Sequence, residues 1–299
     1  MYKRWLAAAL TVLGASIPNA WAEDDSPFFN PELPRDLHGI WFDQGDDGWA
    51  AAMFDHRTAM SSVIMTYDVT GRNVWYTAPF LDCHRQMSPW INDRCDGPLY
   101  KVTGTPVGSS WRPADVTVRQ VGDWSGSFLY PLFGGTGPDQ ERTLYLSYTV
   151  DSADKRGSGQ KPMRAQVIDG KDPLRWLDGR YSGLWSTLGE NGWGVGINVQ
   201  NKELYATLFV HGPDKQPRWY VIIAKDANPF VVVPDLTFVG DVYETTGFAV
   251  GELARQGSKS VRRVGSATIH FDAEPVVNAT LRYSIDGVEV SKNITRPQT

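Results

Sequence analysis

The chain has little cysteine, no basic run and no clustered histidine. Its two cysteines among 299 residues are too few for a four-thiolate zinc site. The formal net charge is −5, and no basic run exceeds two residues, as at Arg262-Arg263, which argues against a nucleic-acid partner. The five histidines are scattered singly, and no Gly-x-Ser-x-Gly elbow, zinc-binding helix or phosphate loop occurs. We therefore expect neither a metal nor another cofactor.

The first residues have the order of a secretory signal peptide. Two basic residues precede an apolar run from Trp5 to Ile17, and Ala20-Trp21-Ala22 follow. The apolar run is shorter than the about 20 residues that cross a bilayer. We expect residues 1–22 to be removed, which changes the net charge from −5 to −7. A tail over 23–36 follows, and the protein is predicted to be secreted or periplasmic.

The two cysteines, Cys83 and Cys95, stand twelve positions apart in a polar segment. In an exported protein such a pair predicts a disulfide, typically worth about 2–4 kcal/mol. The alternative is a metal site that includes His84. Two thiols and one adjacent imidazole lack the paired spacing usual for zinc, so the disulfide is favoured.

Two stretches of the chain are versions of one pattern: "HGIWFDQGDDGWAAAMF" and "SGLWSTLGENGWGVGIN". Six residues of the first half recur with a constant offset of 144: Gly39, Trp41, Gly48, Trp49, Trp75 and Tyr76 correspond to Gly183, Trp185, Gly192, Trp193, Trp219 and Tyr220. The match continues with slips of one residue into "GPLYKVTG" against "GDVYETTG". The repeated unit is therefore a whole domain, longer than the units of solenoids.

Each copy reads as a series of short antiparallel strands. In the second copy "GWGVGINVQ", "ELYATLFVH" and "PRWYVIIA" are separated by turn residues, and no long stretch has helical spacing. About eight strands fit in each copy, enough to close an up-and-down barrel. We predict an all-β protein of two tandem antiparallel barrels, over 37–170 and 180–299, joined by a linker over 171–179.

The opening strand and the closing arginine of each copy resemble the calycin signature of lipocalin-like and avidin-like barrels. The second copy has Gly183-Leu184-Trp185 and Arg296, and the first has Gly39-Ile40-Trp41 and Arg164. The resemblance implies that Trp41 and Trp185 plug one barrel end while the arginine packs across the indole. Such a cation–π contact is worth about 0.5–2 kcal/mol.

The whole repeat also resembles a pattern found in secreted proteins of Gram-negative bacteria. The first copy matches its hairpin with Tyr67-Asp68-Val69-Thr70-Gly71 followed by Trp75-Tyr76. The second copy departs from it with His211-Gly212-Pro213. The resemblance implies export and fold, and it brings no activity with it.

The recurring aromatic residues are the candidate binding site. Twelve tryptophans occur in the chain, and an indole at a barrel mouth can stack on a sugar or an apolar ligand beside a tyrosine hydroxyl. The predicted ligand-binding residues are Trp49, Trp75, Tyr76, Trp193, Trp219 and Tyr220. The alternative is that these aromatics fill the barrel cores. The other face of the "GWGVGINV" strand is nearly bare, which suits close approach of a backbone or a ligand.

Two other classes of function stay open at this point. Asp43, Asp46 and Asp47 crowd one loop and can serve a hydrolase as acid and base, although the second copy does not share them. An envelope structural or adhesion role would use a protein partner. We favour a non-catalytic module for a small apolar or carbohydrate ligand. Strands such as "VEVSKNITR" lack the lipid-facing alternation of a membrane-spanning barrel.

Overall fold

The computed structural model describes twelve segments of the chain: residues 37–43, 46–55, 60–68, 70–88, 90–129, 143–150, 158–165, 179–200, 202–228, 236–248, 259–273 and 275–296. These residues form two antiparallel sheets of eight strands each, so the predicted all-β fold is confirmed. The predicted signal peptide, the tail and the linker before residue 179 lie outside the described residues.

The first sheet is a closed barrel. Its strands are β1 (Gly39–Asp43), β2 (Asp46–Asp55), β3 (Met60–Tyr67), β4 (Asn73–Ser88), β5 (Trp90–Thr103), β6 (Thr117–Leu129), β7 (Thr143–Val150) and β8 (Ser158–Ala165). Each strand pairs with the next, and β1 pairs with β8 through Trp41 opposite Ala165. A short 3₁₀ helix, Pro113–Asp115, precedes β6.

The second sheet is nearly closed. Its strands are β9 (Gly183–Trp185), β10 (Gly194–Gln200), β11 (Glu203–His211), β12 (Pro217–Asp226), β13 (Leu236–Thr246), β14 (Ser260–Phe271), β15 (Asn278–Ile285) and β16 (Val288–Thr295). Its two ends meet at Ser186 and Thr295, whose backbones exchange hydrogen bonds of 3.1 and 2.7 Å. Between β9 and β16 no other backbone pairing occurs within the described residues.

Cys83 and Cys95 lie opposite each other on β4 and β5 and form the predicted disulfide. The prediction is confirmed, and the alternative metal site is excluded because both sulfurs are used in the bond. The described residues contain no cluster of three or more His, Cys, Asp or Glu side chains that would hold a metal ion.

The opening tryptophan of each copy is fully buried at one end of its barrel. Trp41 donates its indole N–H to the carbonyl of Leu37 at 3.1 Å, and Trp185 donates to Tyr181 at 2.9 Å. The guanidinium of Arg296 lies 5.8 Å from the centre of the Trp185 ring and donates to nearby backbone carbonyls. The side chain of Arg164 lies outside the described residues.

Besides the core of each barrel, a separate buried apolar cluster joins the two barrels. The first barrel contributes outward-facing residues that include Ile40, Phe54 and Trp75, and the second contributes Leu184, Phe209, Trp219 and Val221. The outer face of β10, bare of large side chains, receives Phe54: a Cβ placed on Gly196 would lie 2.7 Å from its ring. Both faces of β10 are buried for this reason.

The contacts across this interface are reciprocal. Trp75 donates its indole N–H to the carbonyl of Val210 at 3.1 Å, and Trp219 donates to Thr66 at 3.2 Å. The two donors stand 144 positions apart in the chain, and so do the two acceptors. The interface is therefore formed by the same places in each copy, as in a two-fold-symmetric dimer.

The Tyr-x-x-Thr-Gly segments take part in the same reciprocal arrangement. The amide of Gly104 donates to Lys215 at 3.3 Å, and that of Gly247 donates to Gly71 at 3.2 Å. A Cβ on Gly104 would lie 2.4 Å from the ring of His211, and one on Gly247 would lie 2.4 Å from that of Tyr67. Glycine is needed at both places because an aromatic ring of the other barrel lies directly against the backbone.

Replacing either interface tryptophan by phenylalanine should lower the free energy of unfolding by more than the loss of buried ring area accounts for. Trp75→Phe or Trp219→Phe leaves a buried carbonyl without its donor, at a cost of about 1–2 kcal/mol. Trp124→Phe is the matched control, because the fully buried indole of Trp124 makes no hydrogen bond among the described residues. Urea unfolding measures each free energy, and equal losses in all three variants would contradict the assignment.

Trp185→Ala should destabilise the second barrel by about 3–5 kcal/mol, as truncation of a buried tryptophan does. Arg296→Ala should cost less, and the two losses should be non-additive because the cation lies over the indole. A double-mutant cycle in urea measures the coupling. Additive losses would show that the arginine does not seal the barrel end.

Candidate functional site

The aromatic residues predicted to line a concave site in each barrel do not share one surface in either copy. Trp49 and Tyr76 lie in the core of the first barrel, Trp193 and Tyr220 lie in that of the second, and Trp75 and Trp219 lie between the barrels. All six side chains are at most 8% exposed. Neighbouring residues of a strand point to opposite sides, so the Trp and the Tyr of each repeated pair must diverge.

In each barrel the other Trp and Tyr share a core cluster with one further tyrosine. Trp49 and Tyr76 lie with Tyr148, and Trp193 and Tyr220 lie with Tyr283. Tyr148 packs edge-to-face on Trp49 with ring centres 5.0 Å apart, and Tyr283 lines one cleft with Trp193. Burial raises the pKa of Tyr148 and Tyr283 well above the usual range, and it raises the pKa of Tyr220 to about 12. These hydroxyls are therefore neutral hydrogen-bonding groups at physiological pH.

A cleft of about 240 Å³ opens where the second barrel meets a segment of the first. Residues 105–111, which follow β5, form one wall. The second barrel supplies the rest: Glu190, Trp193, Val210, Tyr283, Glu289, Val290, Ser291 and Lys292. The cleft is thus built by both barrels, and of the predicted ligand-binding residues only Trp193 lines it.

The wall of the cleft is fixed to the second barrel. The amide of Val107 donates to the carbonyl of His211 at 3.1 Å, and the indole of Trp111 donates to Asn191 at 3.0 Å. Both side chains also pack against the core of the second barrel. Trp111 stays half-buried, so part of its indole is available to a ligand.

A charged pair lines the cleft. The ammonium of Lys292 lies 2.9 and 2.6 Å from the two carboxylate oxygens of Glu190. Glu190 also accepts the indole N–H of Trp193 at 3.1 Å, and the Lys292 nitrogen lies 5.7 Å from the centre of that ring. The two charged side chains are 22–23% exposed. The cleft therefore offers an acceptor and a donor next to aromatic surface.

The cleft follows the unpaired part of the second sheet. Thr295 directs its backbone N–H and C=O toward Ser186, and backbone direction repeats every second residue along a strand. Ser291 and Glu289 accordingly direct their backbone groups to the same side, where no strand pairs with them in the described part of the chain. This short edge borders the cleft.

An ion pair joins the two barrels near the wall of the cleft. The carboxylate of Asp115 accepts from the ammonium of Lys215 at 2.8 Å and from Arg112 at 2.9 Å. The bond from Lys215, followed by Arg112, holds the pKa of this carboxyl below its usual value. Asp115 is therefore ionised at neutral pH and serves a structural role between the barrels.

The acidic loop proposed for a hydrolase cannot be placed, since the side chains of Asp43, Asp46 and Asp47 lie outside the described residues. Among the residues that the structure does describe, no helix has the length and apolar character to cross a membrane. No family model matches the chain, and neither a curated protein nor a solved structure does. Any assignment of function therefore rests on the geometry of the cleft.

Trp111, Tyr148 and Tyr283 were missed by the sequence reasoning for different reasons. The two tyrosines end the same Leu-x-Tyr pattern, Leu146-Ser147-Tyr148 and Leu281-Arg282-Tyr283, so the repeat carried a signal that could have found them. Trp111 has no counterpart in the second copy, so a search for shared aromatics passes over it.

His211 should make stability depend on pH. Its ring is buried, its Nε2 donates to the Val102 carbonyl at 3.2 Å, and it lies 5.6 Å from the Trp75 ring. The pKa of His211 is lowered from 6.5 to about 4, mainly by burial and to a smaller extent by Arg218, while the Val102 bond and Asp214 oppose the change. The folded state therefore binds fewer protons than the unfolded chain between these values, and stability falls as pH falls.

The expected loss between pH 6.5 and pH 4 is about 3 kcal/mol for this group, with no further change below pH 4. His211→Gln removes the titrating ring, so the difference in unfolding free energy between wild type and variant should vary with pH over that window. A difference that stays constant from pH 6.5 to pH 4 would contradict the account.

Proposed function

We propose that the protein is an exported, non-catalytic binding module that holds a carbohydrate in the cleft between the second barrel and residues 105–111. One observation carries the proposal: the half-buried indole of Trp111 borders the same cleft as the Glu190–Lys292 pair. A sugar ring has C–H groups that pack on an indole and hydroxyls that pair with charged groups.

The polar groups of the cleft suit hydroxyls better than a wholly apolar ligand. The carboxylate of Glu190 accepts hydrogen bonds, and the ammonium of Lys292 donates them. Ser109, Ser110 and Ser291 line the same space and add hydroxyls that do both. A small apolar ligand would leave these groups without water or partners, which is unfavourable.

The charge of the cleft favours a neutral sugar over an anionic one. One lysine and two glutamates, Lys292, Glu190 and Glu289, line it, so its net charge is −1 with the lysine paired. A carboxylate or phosphate on the ligand would be repelled at close range. The proposed ligand is therefore an uncharged saccharide.

Export is part of the proposal and is supported by two features. The first 22 residues have the order of a signal peptide. The Cys83–Cys95 disulfide persists only in an oxidising compartment. Together they favour a secreted or periplasmic site of action, where saccharides of the envelope and the medium are accessible.

Trp111→Ala should weaken saccharide binding about tenfold, equal to about 1.4 kcal/mol, because it removes the exposed aromatic surface. Titration calorimetry with a panel of neutral saccharides measures the affinity. Tyr145→Ala is the matched control, since Tyr145 is an aromatic residue 44% exposed on the first barrel away from the cleft. Failure of every saccharide to bind, or equal binding by wild type and the Trp111 variant, would refute the proposal.

A further inference from the structure

A groove lies beside the cleft, on the outer face of the second barrel. It encloses about 450 Å³ over β14, β15 and β16. Register places its outward residues in two cross-strand rows, in which Arg282 pairs with Thr268 and Ser291 while Ser284 pairs with Glu289. The groove is therefore lined mainly by hydroxyls, with one guanidinium and one carboxylate.

The groove and the cleft meet at the edge of β16. Glu289, Val290 and Ser291 line both of them, as does Tyr283 of the adjoining strand. Residues 289–291 belong to the part of β16 whose second edge pairs with no strand among the described residues. A chain-like ligand can therefore pass from the cleft across this edge without meeting a strand.

Arg282 differs from the other arginines of this sheet. Arg262 is paired with Glu244 and Asp286, and Arg263 is paired with Asp241. Arg282 is exposed and has no ion pair or side-chain hydrogen bond within the described segments. Its guanidinium therefore keeps its N–H donors free for acceptor oxygens of a ligand, and hydroxyl oxygens are such acceptors.

We propose that the ligand is an oligosaccharide, with one unit in the cleft and following units on the outer groove beside Arg282. This inference rests on the proposed function and extends it from one sugar to a chain. Trp111 and the Glu190–Lys292 pair hold the first unit. Arg282 and the hydroxyls of Thr268 and Ser284 bind the units that follow.

A peptide is disfavoured as the occupant of this path. A peptide that adds a strand needs a row of free backbone groups. Within the described part of this edge, both backbone groups are open only at Glu289 and Ser291, because the carbonyl of Asn293 accepts from the hydroxyl of Thr187. The hydroxyl-rich lining beyond the edge offers no apolar pocket for side chains. A chain of hydroxyl-bearing rings fits both parts.

The test is the dependence of affinity on chain length in the full-length protein. Neutral malto-, cello- and chito-oligosaccharides of one to six units are titrated by calorimetry. Wild type should bind the tetramer of at least one series tenfold or more tightly than the monomer. Arg282→Ala should lose that gain and keep its affinity for the monomer, whereas Arg263→Ala, its control on β14, should behave as wild type.

The two proposals fail in different ways. Binding that depends on Trp111 but not on chain length, or a chain-length gain that survives in Arg282→Ala, would overturn the extended site and leave the cleft. Absence of binding at every length would overturn both. If an unrelated strand-forming peptide displaces the saccharide from wild type but binds Arg282→Ala more weakly, the ligand of the groove would be a peptide and the proposal would be wrong.

Discussion

Two buried indole hydrogen bonds hold the molecule in its two-barrel form. Trp75 and Trp219 each donate across the interface to a backbone carbonyl of the other barrel. A buried carbonyl that loses its donor costs about 1–3 kcal/mol. The buried carbonyl at the interface of each barrel therefore depends on the indole donor of the other barrel. The cleft depends on this joint, because residues 105–111 of the first barrel form its wall over the second.

Strand β12 contributes to both the interface and the core of the second barrel, because successive side chains of a strand point to opposite sides. In β12 Trp219 points toward the first barrel, while Tyr220 points into the second. The repeated Trp-Tyr pair thus combines an interface residue with a core residue. This gives the pair a structural role in both halves of the chain.

The strands, the turns and the disulfide could be predicted because each is determined locally or by a pair of residues. Alternation along β10 correctly separated Val195 and Ile197 from Gly196. Alternation does not say what covers the second face, so the sequence alone could not tell that Trp75 meets the other barrel. Trp111 was missed because the reasoning gave weight to aromatics present in both copies, and the cleft wall occurs in one.

The central claim is that the hairpin tryptophans join the barrels reciprocally. Nuclear Overhauser spectra of the protein with labelled tryptophan test it directly, since an indole proton within a hydrogen bond lies close to its acceptor residue. The account predicts cross-peaks from Trp75 to Val210 or His211 and from Trp219 to Thr66 or Tyr67, with slow solvent exchange at both indoles. Rapid exchange at both, without cross-peaks between barrels, would contradict it.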